Sequence, residues 1–305
     1  MKTKRQHHNP FKYARSISIA WLLLCTPSIS LGWGAGGHMM TAHIAFSRLN
    51  PKAKAKVAEL LLIEIPPADV PKSTDFVSAS HWADDVRSNS QFDFLKPLHF
   101  IDKPFSLDGT ALPEIEEENI VKALKDNVEI LKTSTDKNAQ ARALRLVIHF
   151  VGDIHQPLHC TTKVSGAFPD GDQGGNKFNI KIMKGGKLKV EKLHSYWDGG
   201  ISTFPPSGPP PKFIPPPLKS IAPAASLAKK GNPASDPALK LDDPFNFEAW
   251  ADESFQLGQD VVYKGIRSGR RPSANYNARA LKVARKRVAW GGYRLAALLN
   301  SIWPE

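Results

Sequence analysis

Cysteine is nearly absent from this chain, with two in 305 residues. Cys25 lies in a leader-like segment, so Cys160 stands alone in the remainder and no intrachain disulfide can form there. That excludes a disulfide-stapled miniprotein, and it leaves no thiolate set for a closed structural zinc site. Acid is missing from the first 32 residues, which carry five bases: Lys2, Lys4, Arg5, Lys12 and Arg15. Beyond them no run is long and apolar enough to cross a bilayer, and no internal repeat is seen. A composition of 41% hydrophobic and 23% charged residues excludes a disordered or collagen-like chain. The length suits one large core or two ordinary ones.

What is present begins with a leader. Met1 to Arg15 is basic, Ser16 to Thr26 is apolar but too short to span, and Ser30-Leu31-Gly32 is a small-x-small cleavage site. The segment 1–32 is expected to be a signal peptide cleaved before Trp33, a membrane anchor being the alternative. Export to the periplasm or the medium follows, with no membrane span in the mature protein. Residues 33–305 hold 36 Lys plus Arg against 29 acids, a net +7 that suits a polyanionic substrate without requiring one. An exported domain without disulfides needs another source of stability, and bound metal is one.

Helical spacing dominates what remains. Met39, Ala42, Phe46 and Leu49 share one periodic face, and Asn50 caps a helix beginning at Pro51. Two further helices carry Val121, Leu124, Val128 and Leu131, and then Leu144, Val147, Ile148 and Val151. The last runs roughly from Ala278 to Ile302, with Arg279, Lys282, Arg285 and Lys286 on a face expected to be solvated. Phe178, Ile180 and Ile182 alternate, Gly185-Gly186 turns, and Leu188 and Val190 alternate again, which predicts a hairpin. Between Pro205 and Pro244 lie 12 of the 25 prolines. That density predicts an extended, partly polyproline II surface insertion (about 204–245) that builds neither helix nor sheet. The expected fold is mostly α: a single domain over 33–305 with a small hairpin and this insertion.

The chemistry lies in where His and Asp fall. His149 and Asp153 are four apart on one helical face, His194 and Asp198 repeat the spacing, and His159 follows Asp153 by six residues. Imidazole and carboxylate without thiolate favour a hydrolytic Zn²⁺ site with room for water. Each pair taken singly reads as core packing or capping; the set reads as metal. Trp33, if freed as an N-terminus, offers an amine and its own carbonyl as a chelate; spacing alone leaves this open against simple packing.

These residues resemble a known family, the secreted zinc-dependent single-strand nucleases and 3′-nucleotidases, with zinc phospholipases C as distant relatives. The matching stretches are Trp33-Gly-Ala-Gly-Gly-His38, Trp82-Ala-Asp84-Asp-Val-Arg87, Leu98-His99-Phe-Ile-Asp102, His149-Phe-Val-Gly-Asp153-Ile-His-Gln-Pro-Leu-His159, Gly174-Gly-Asn176-Lys and Leu193-His194-Ser-Tyr-Trp-Asp198. The resemblance implies a trinuclear zinc cleft. One ion would take Asp84, His99, His149 and Asp153, a second the Trp33 amine and carbonyl, His38 and the shared Asp153, and a third His159, His194 and Asp198. It implies hydroxide attack on phosphorus between the paired zincs, with Asp84 and Asp153 in the catalytic centre and Arg87 steadying the transition-state charge. Phe100 would stack a base, Asp102 would bind its edge, and Asn176 would complete the pocket. Substrates would be single-stranded DNA, RNA and 3′-nucleotides, giving 5′-phosphate products from a monomer. Phospholipase C is the alternative activity. His43, His81, His155, Cys160 and Asp85 are not expected to be ligands.

Overall fold

The computed structural model describes residues 33–66, 74–208 and 214–305, so the expected leader lies outside the described residues. Ten α-helices are seen among those described: α1 (Ala35–Phe46), α2 (Pro51–Leu61), α3 (Phe76–Ala79), α4 (Trp82–Asp85), α5 (Ile120–Thr133), α6 (Lys137–Ile154), α7 (Leu193–Asp198), α8 (Leu218–Lys229), α9 (Phe247–Leu257) and α10 (Ala274–Ile302). Strands are few. A parallel pair joins β1 (Pro104–Ser106) to β2 (Thr162–Val164), and an antiparallel pair joins β3 (Asn179–Lys184) to β4 (Lys187–Lys192). The fold is mostly α, as expected.

Local chemistry sets the helix starts. Asn50 accepts the Ala53 amide, with Pro51 at the first helical position. Asn119, Asp136 and Ser273 cap α5, α6 and α10 in the same way. Helix α6 is buried continuously from Ala143 to Ile154 and forms the axis of one apolar cluster with α2, α5 and the end of α10. A second cluster gathers Trp33, β3, α7, α8 and the first half of α10. Helix α1 serves both, giving Ala42 and Ala45 to the first and Met39, Met40 and Ile44 to the second.

The proline-rich segment departs from expectation. It contains α8 and a 3₁₀ turn at Pro237–Leu239, so it is not simply an extended surface strand. Between 218 and 229 the only proline is Pro223, and Ile221, Ala225 and Ala228 form a buried stripe packed on α1 and α10. Burial of that stripe overrides the local cost of one internal proline. The hairpin is present, but Leu188 and Val190 face solvent while Ile180 and Ile182 face the core. Paired residues share a face, so Lys181 with Val190 and Met183 with Leu188 form the outer surface.

The β1–β2 ladder matters for the site. Ile101 N–H donates to the His159 carbonyl at 2.7 Å and Thr162 N–H donates to the Lys103 carbonyl at 3.0 Å. The segment carrying Phe100 and Asp102 is thereby laid alongside His159.

Candidate metal centre

Helix α6 supplies the centre of the site. His149 and Asp153, one turn apart, bring His149 Nε2 within 3.0 Å of Asp153 Oδ2. The 3₁₀ stretch Ser90–His99 delivers His99, whose Nδ1 is 3.0 Å from the same oxygen and 3.1 Å from His149 Nε2. Asp84, on α4, lies 3.8 Å from His149 Nε2 and 4.0 Å from His99 Nδ1. On the other side His38, from α1, places Nε2 3.2 Å from Asp153 Oδ1 and stacks on His149 with ring centroids 4.0 Å apart. One carboxylate thus faces imidazoles from three elements.

A second group sits beside the first. His194 and Asp198 on α7 lie 3.5 Å apart, and His194 Nε2 is 3.2 Å from His159 Nε2. His159 Nδ1 is 3.8 Å from Asp153 Oδ1, which ties the groups together. Trp33 is fully buried, its ring against Phe204, and the Gly34 N–H donates to the Asp198 carbonyl, so the segment before α1 reaches the end of α7.

The far ring nitrogens are oriented by backbone carbonyls. His149 Nδ1 meets the Ser80 carbonyl at 2.8 Å, His159 Nδ1 the His99 carbonyl at 2.6 Å, and His194 Nδ1 the Gly174 carbonyl at 2.6 Å. Donation there fixes the tautomer and leaves an inward lone pair. Gly174 has φ +57°, and a Cβ there would lie 2.3 Å from the Leu158 carbonyl oxygen, so only glycine makes this turn. Gln156, which sequence reasoning missed although it lies within the fourth motif, donates to Asp198 Oδ1 at 2.7 Å.

The donor set fits metal. Both nitrogens of His38, Nε2 of His99 and Oδ1 of Asp153 are buried with no hydrogen-bond partner, a costly arrangement for polar atoms that have no acceptor or cation to serve. His38, Asp84 and His149 lie close enough to share an ion, as do His99, His149 and Asp153, and His159, His194 and Asp198. Gly152 leaves a cradle for His38: a Cβ there would come 2.5 Å from its Nδ1. Burial lowers His99 to about 4, so its ring is neutral and able to ligate at mild pH. His38 is lowered by burial and then by His149. Burial alone would raise Asp153, but His149, His159 and His38 outweigh it and hold the carboxyl well below its usual range. Burial likewise opposes charge on His149, yet Asp153 and Asp84 raise it to about 9, so a cation bound between these carboxylates would take the place of its inward proton.

The remaining candidates fall around this core. Arg87 donates to Asp84 at 2.9 Å, and its Nε is buried without a partner. Phe100 and Asp102 are half-buried, and Asn176 is buried next to the turn that orients His194. Asp102 is raised to about 7, first by burial and then by Asp172. Asp172 itself is buried, accepting from Lys163 N–H, Gly175 N–H and the Tyr263 hydroxyl.

The residues set aside from ligation lie elsewhere. His155 donates through Nδ1 to the Val151 carbonyl and accepts from Arg294. His81 pairs with Asp85 at 2.6 Å, and the Cys160 thiol contacts the Ile154 carbonyl.

Comparison with known proteins places the chain in a family. The model of the S1/P1 nuclease family matches residues 33–304. Endonuclease 2 of Arabidopsis thaliana is 29% identical, covering 94% of this chain and 96% of its own. Nuclease S1 of Aspergillus oryzae is 25% identical over 94% of this chain and 98% of its own. Nuclease P1 of Penicillium citrinum is 25% identical over 88% and 97%. The matched family and these relatives are nucleases, so the lipid-cleaving alternative is set aside. With its motifs in family order and the match running from Trp33 nearly to the last residue, the chain belongs to the S1/P1 nuclease family.

Proposed function

We propose that this protein is an exported zinc phosphodiesterase that cuts single-stranded DNA and RNA to 5′-phosphate products and also removes 3′-phosphates from nucleotides. The observation that carries the reading is Asp153, whose two oxygens meet His38 at 3.2 Å on one side and His99 and His149 at 3.0 Å on the other, beside the His159–His194–Asp198 group. Asp84, His99, His149 and Asp153 would hold one zinc, His38 and Asp153 with the Trp33 amine and carbonyl a second, and His159, His194 and Asp198 a third. Zinc, when bound, supplies Lewis acidity and brings the pKa of water from 15.7 towards ~7.

The chain's own groups do the rest. Arg87, anchored on Asp84, would offer its guanidinium to a phosphate oxygen, where a planar donor fork stabilises charge that grows in the transition state. Phe100 takes the face of a base, and Asp102 and Asn176 take its edge. A stacked base contributes about 1–3 kcal/mol whatever its identity. Entry to a buried cluster requires an unpaired, flexible strand, hence the single-strand preference. Gln156 and the three backbone carbonyls keep the imidazoles and Asp198 aimed.

The family match beginning at Trp33 supports cleavage of residues 1–32 to free the amine. Metal analysis and end mapping test the reading together. The expected result is three zincs per mature chain, loss of activity to chelator, faster cutting of single strands than duplex, and 5′-phosphate ends. A folded, zinc-loaded protein that leaves single-stranded nucleic acid intact would refute it.

A further inference from the structure

One part of the surface concentrates positive charge. Residues 177–192 and 264–271 carry ten Lys and Arg with a single acid, Glu191, a net +9. All of residues 33–305 carry +7, so the remainder of that region is net −2. The two basic segments are adjacent in space. Lys181 N–H donates to the Arg270 carbonyl at 3.1 Å, and Gly269 N–H donates to the Asn179 carbonyl at 2.8 Å, which fastens the 264–271 loop along the outer edge of β3.

Nine of the ten cations are exposed, Lys192 being half-buried, and among the described residues none of the ten pairs with a carboxylate. Elsewhere on the surface lysines do find acids, as Lys122 does with Asp126 and Lys137 with Glu59. The outer hairpin face adds Met183, Leu188 and Val190, exposed beside Lys181.

The hairpin grows directly out of the candidate site. Strand β3 begins three residues after Asn176, and β4 ends two residues before His194. At about 3.4 Å per residue, each six-residue strand carries the tip cations roughly 20 Å from the cleft.

We propose that the β3–β4 hairpin and the 264–271 loop form an exosite for the phosphate backbone of the single strand whose scissile bond lies in the zinc cleft. This rests on the nuclease reading above. The exosite binds phosphates outside the base pocket, so it acts on long strands and not on dinucleotides. The cations neutralise phosphates and release their counterions, which makes the contribution strongly salt-dependent. The exposed apolar residues of the outer face lie beside Lys181, where an unpaired base can rest.

The test replaces Lys184, Lys187, Lys189, Arg270 and Arg271 with Gln together in the zinc-loaded mature protein. For a long single-stranded oligonucleotide, KM should rise about tenfold or more at low salt with kcat unchanged. The slope of log(kcat/KM) against log salt should flatten by about 0.7 for each phosphate that the variant no longer neutralises. Dinucleotide hydrolysis should be unaltered, which also shows that the variant is folded. Rapid-mixing anisotropy with the labelled long strand, read before turnover, should show the same weakening of binding.

An unchanged KM and an unchanged salt slope for the long strand would overturn the proposal. So would a variant that keeps long-strand binding but loses adhesion to phosphatidylglycerol vesicles, since the partner would then be a lipid surface. If the parent protein binds the long strand through these residues but cleaves neither substrate, the nuclease reading fails and the exosite stands.

Discussion

Replacing Gly152 with alanine puts a methyl carbon where the His38 ring already lies. The new Cβ would fall 2.5 Å from His38 Nδ1 and 2.9 Å from Cε1. Ordinary van der Waals separation is about 3.5 Å, so the ring must retreat by about 1 Å. It cannot do so freely, because the ring is already stacked on His149 at 4.0 Å. Helix α6 cannot yield either, being buried from Ala143 to Ile154. The movement therefore opens the 3.2 Å approach of His38 Nε2 to Asp153. Overpacking costs about 1–3 kcal/mol, and alanine recovers about 1 kcal/mol of helix propensity, so the melting temperature should change little. A misplacement of about 1 Å at a reacting centre costs roughly 100-fold in rate. The variant is thus expected to stay folded, bind zinc more weakly and lose about two orders of magnitude on single-stranded DNA. Zinc titration with kinetics on the purified mature protein checks this. Gly166→Ala serves as control, since its Cβ would meet nothing within 4 Å. Wild-type rate and zinc content in Gly152→Ala would refute the argument that this glycine exists to seat His38.

Three further outcomes are expected. Glu253→Ala leaves Arg287 and Arg294, both almost wholly buried, without the carboxylate they share; the cost should be about 3–5 kcal/mol, seen as a fall of roughly 10 °C in Tm by calorimetry. Asp102 has a folded pKa of about 7, above its unfolded value, so its contribution to stability is full at low pH and is lost as pH rises from about 4 through 7; Asp102→Asn should flatten that part of a Tm-against-pH curve relative to the parent. Burial pushes the Cys160 thiol up to about 12, so it should resist alkylating reagents in the native protein and react only once denaturant unfolds the chain, as mass spectrometry would show.

The parts of the site that were legible in sequence are those written within one element. His149 with Asp153, and His194 with Asp198, announce themselves because a helix brings residues four apart onto one face. His38, Asp84 and His99 come from three other elements, and only their resemblance to family motifs joined them to the set. The carbonyls of Ser80, His99 and Gly174 had no signal at all, since every residue has a carbonyl and only the fold selects which ones face an imidazole. Nothing in the sequence separates Arg287 and Arg294 from the other cations of the last helix. Their acceptors, Glu253, the His155 carbonyl and the Leu239 carbonyl, lie 34 to 132 positions away along the chain. Helix α8 was hidden for a different reason: proline density around it masked a short stripe of Ile221, Ala225 and Ala228 that becomes informative only when α1 and α10 are in place.

The Leu239 carbonyl receives both Nε and an outer nitrogen of Arg294, at 3.1 and 2.8 Å. A shortened version of the protein that removed the whole proline-rich stretch would strand Nε in the interior and leave the outer nitrogen only its bond to Glu253. Loop trimming for crystallisation or expression should therefore stop before Asp236 and keep the 3₁₀ turn, because the last part of that stretch closes the protein interior around a charged hub.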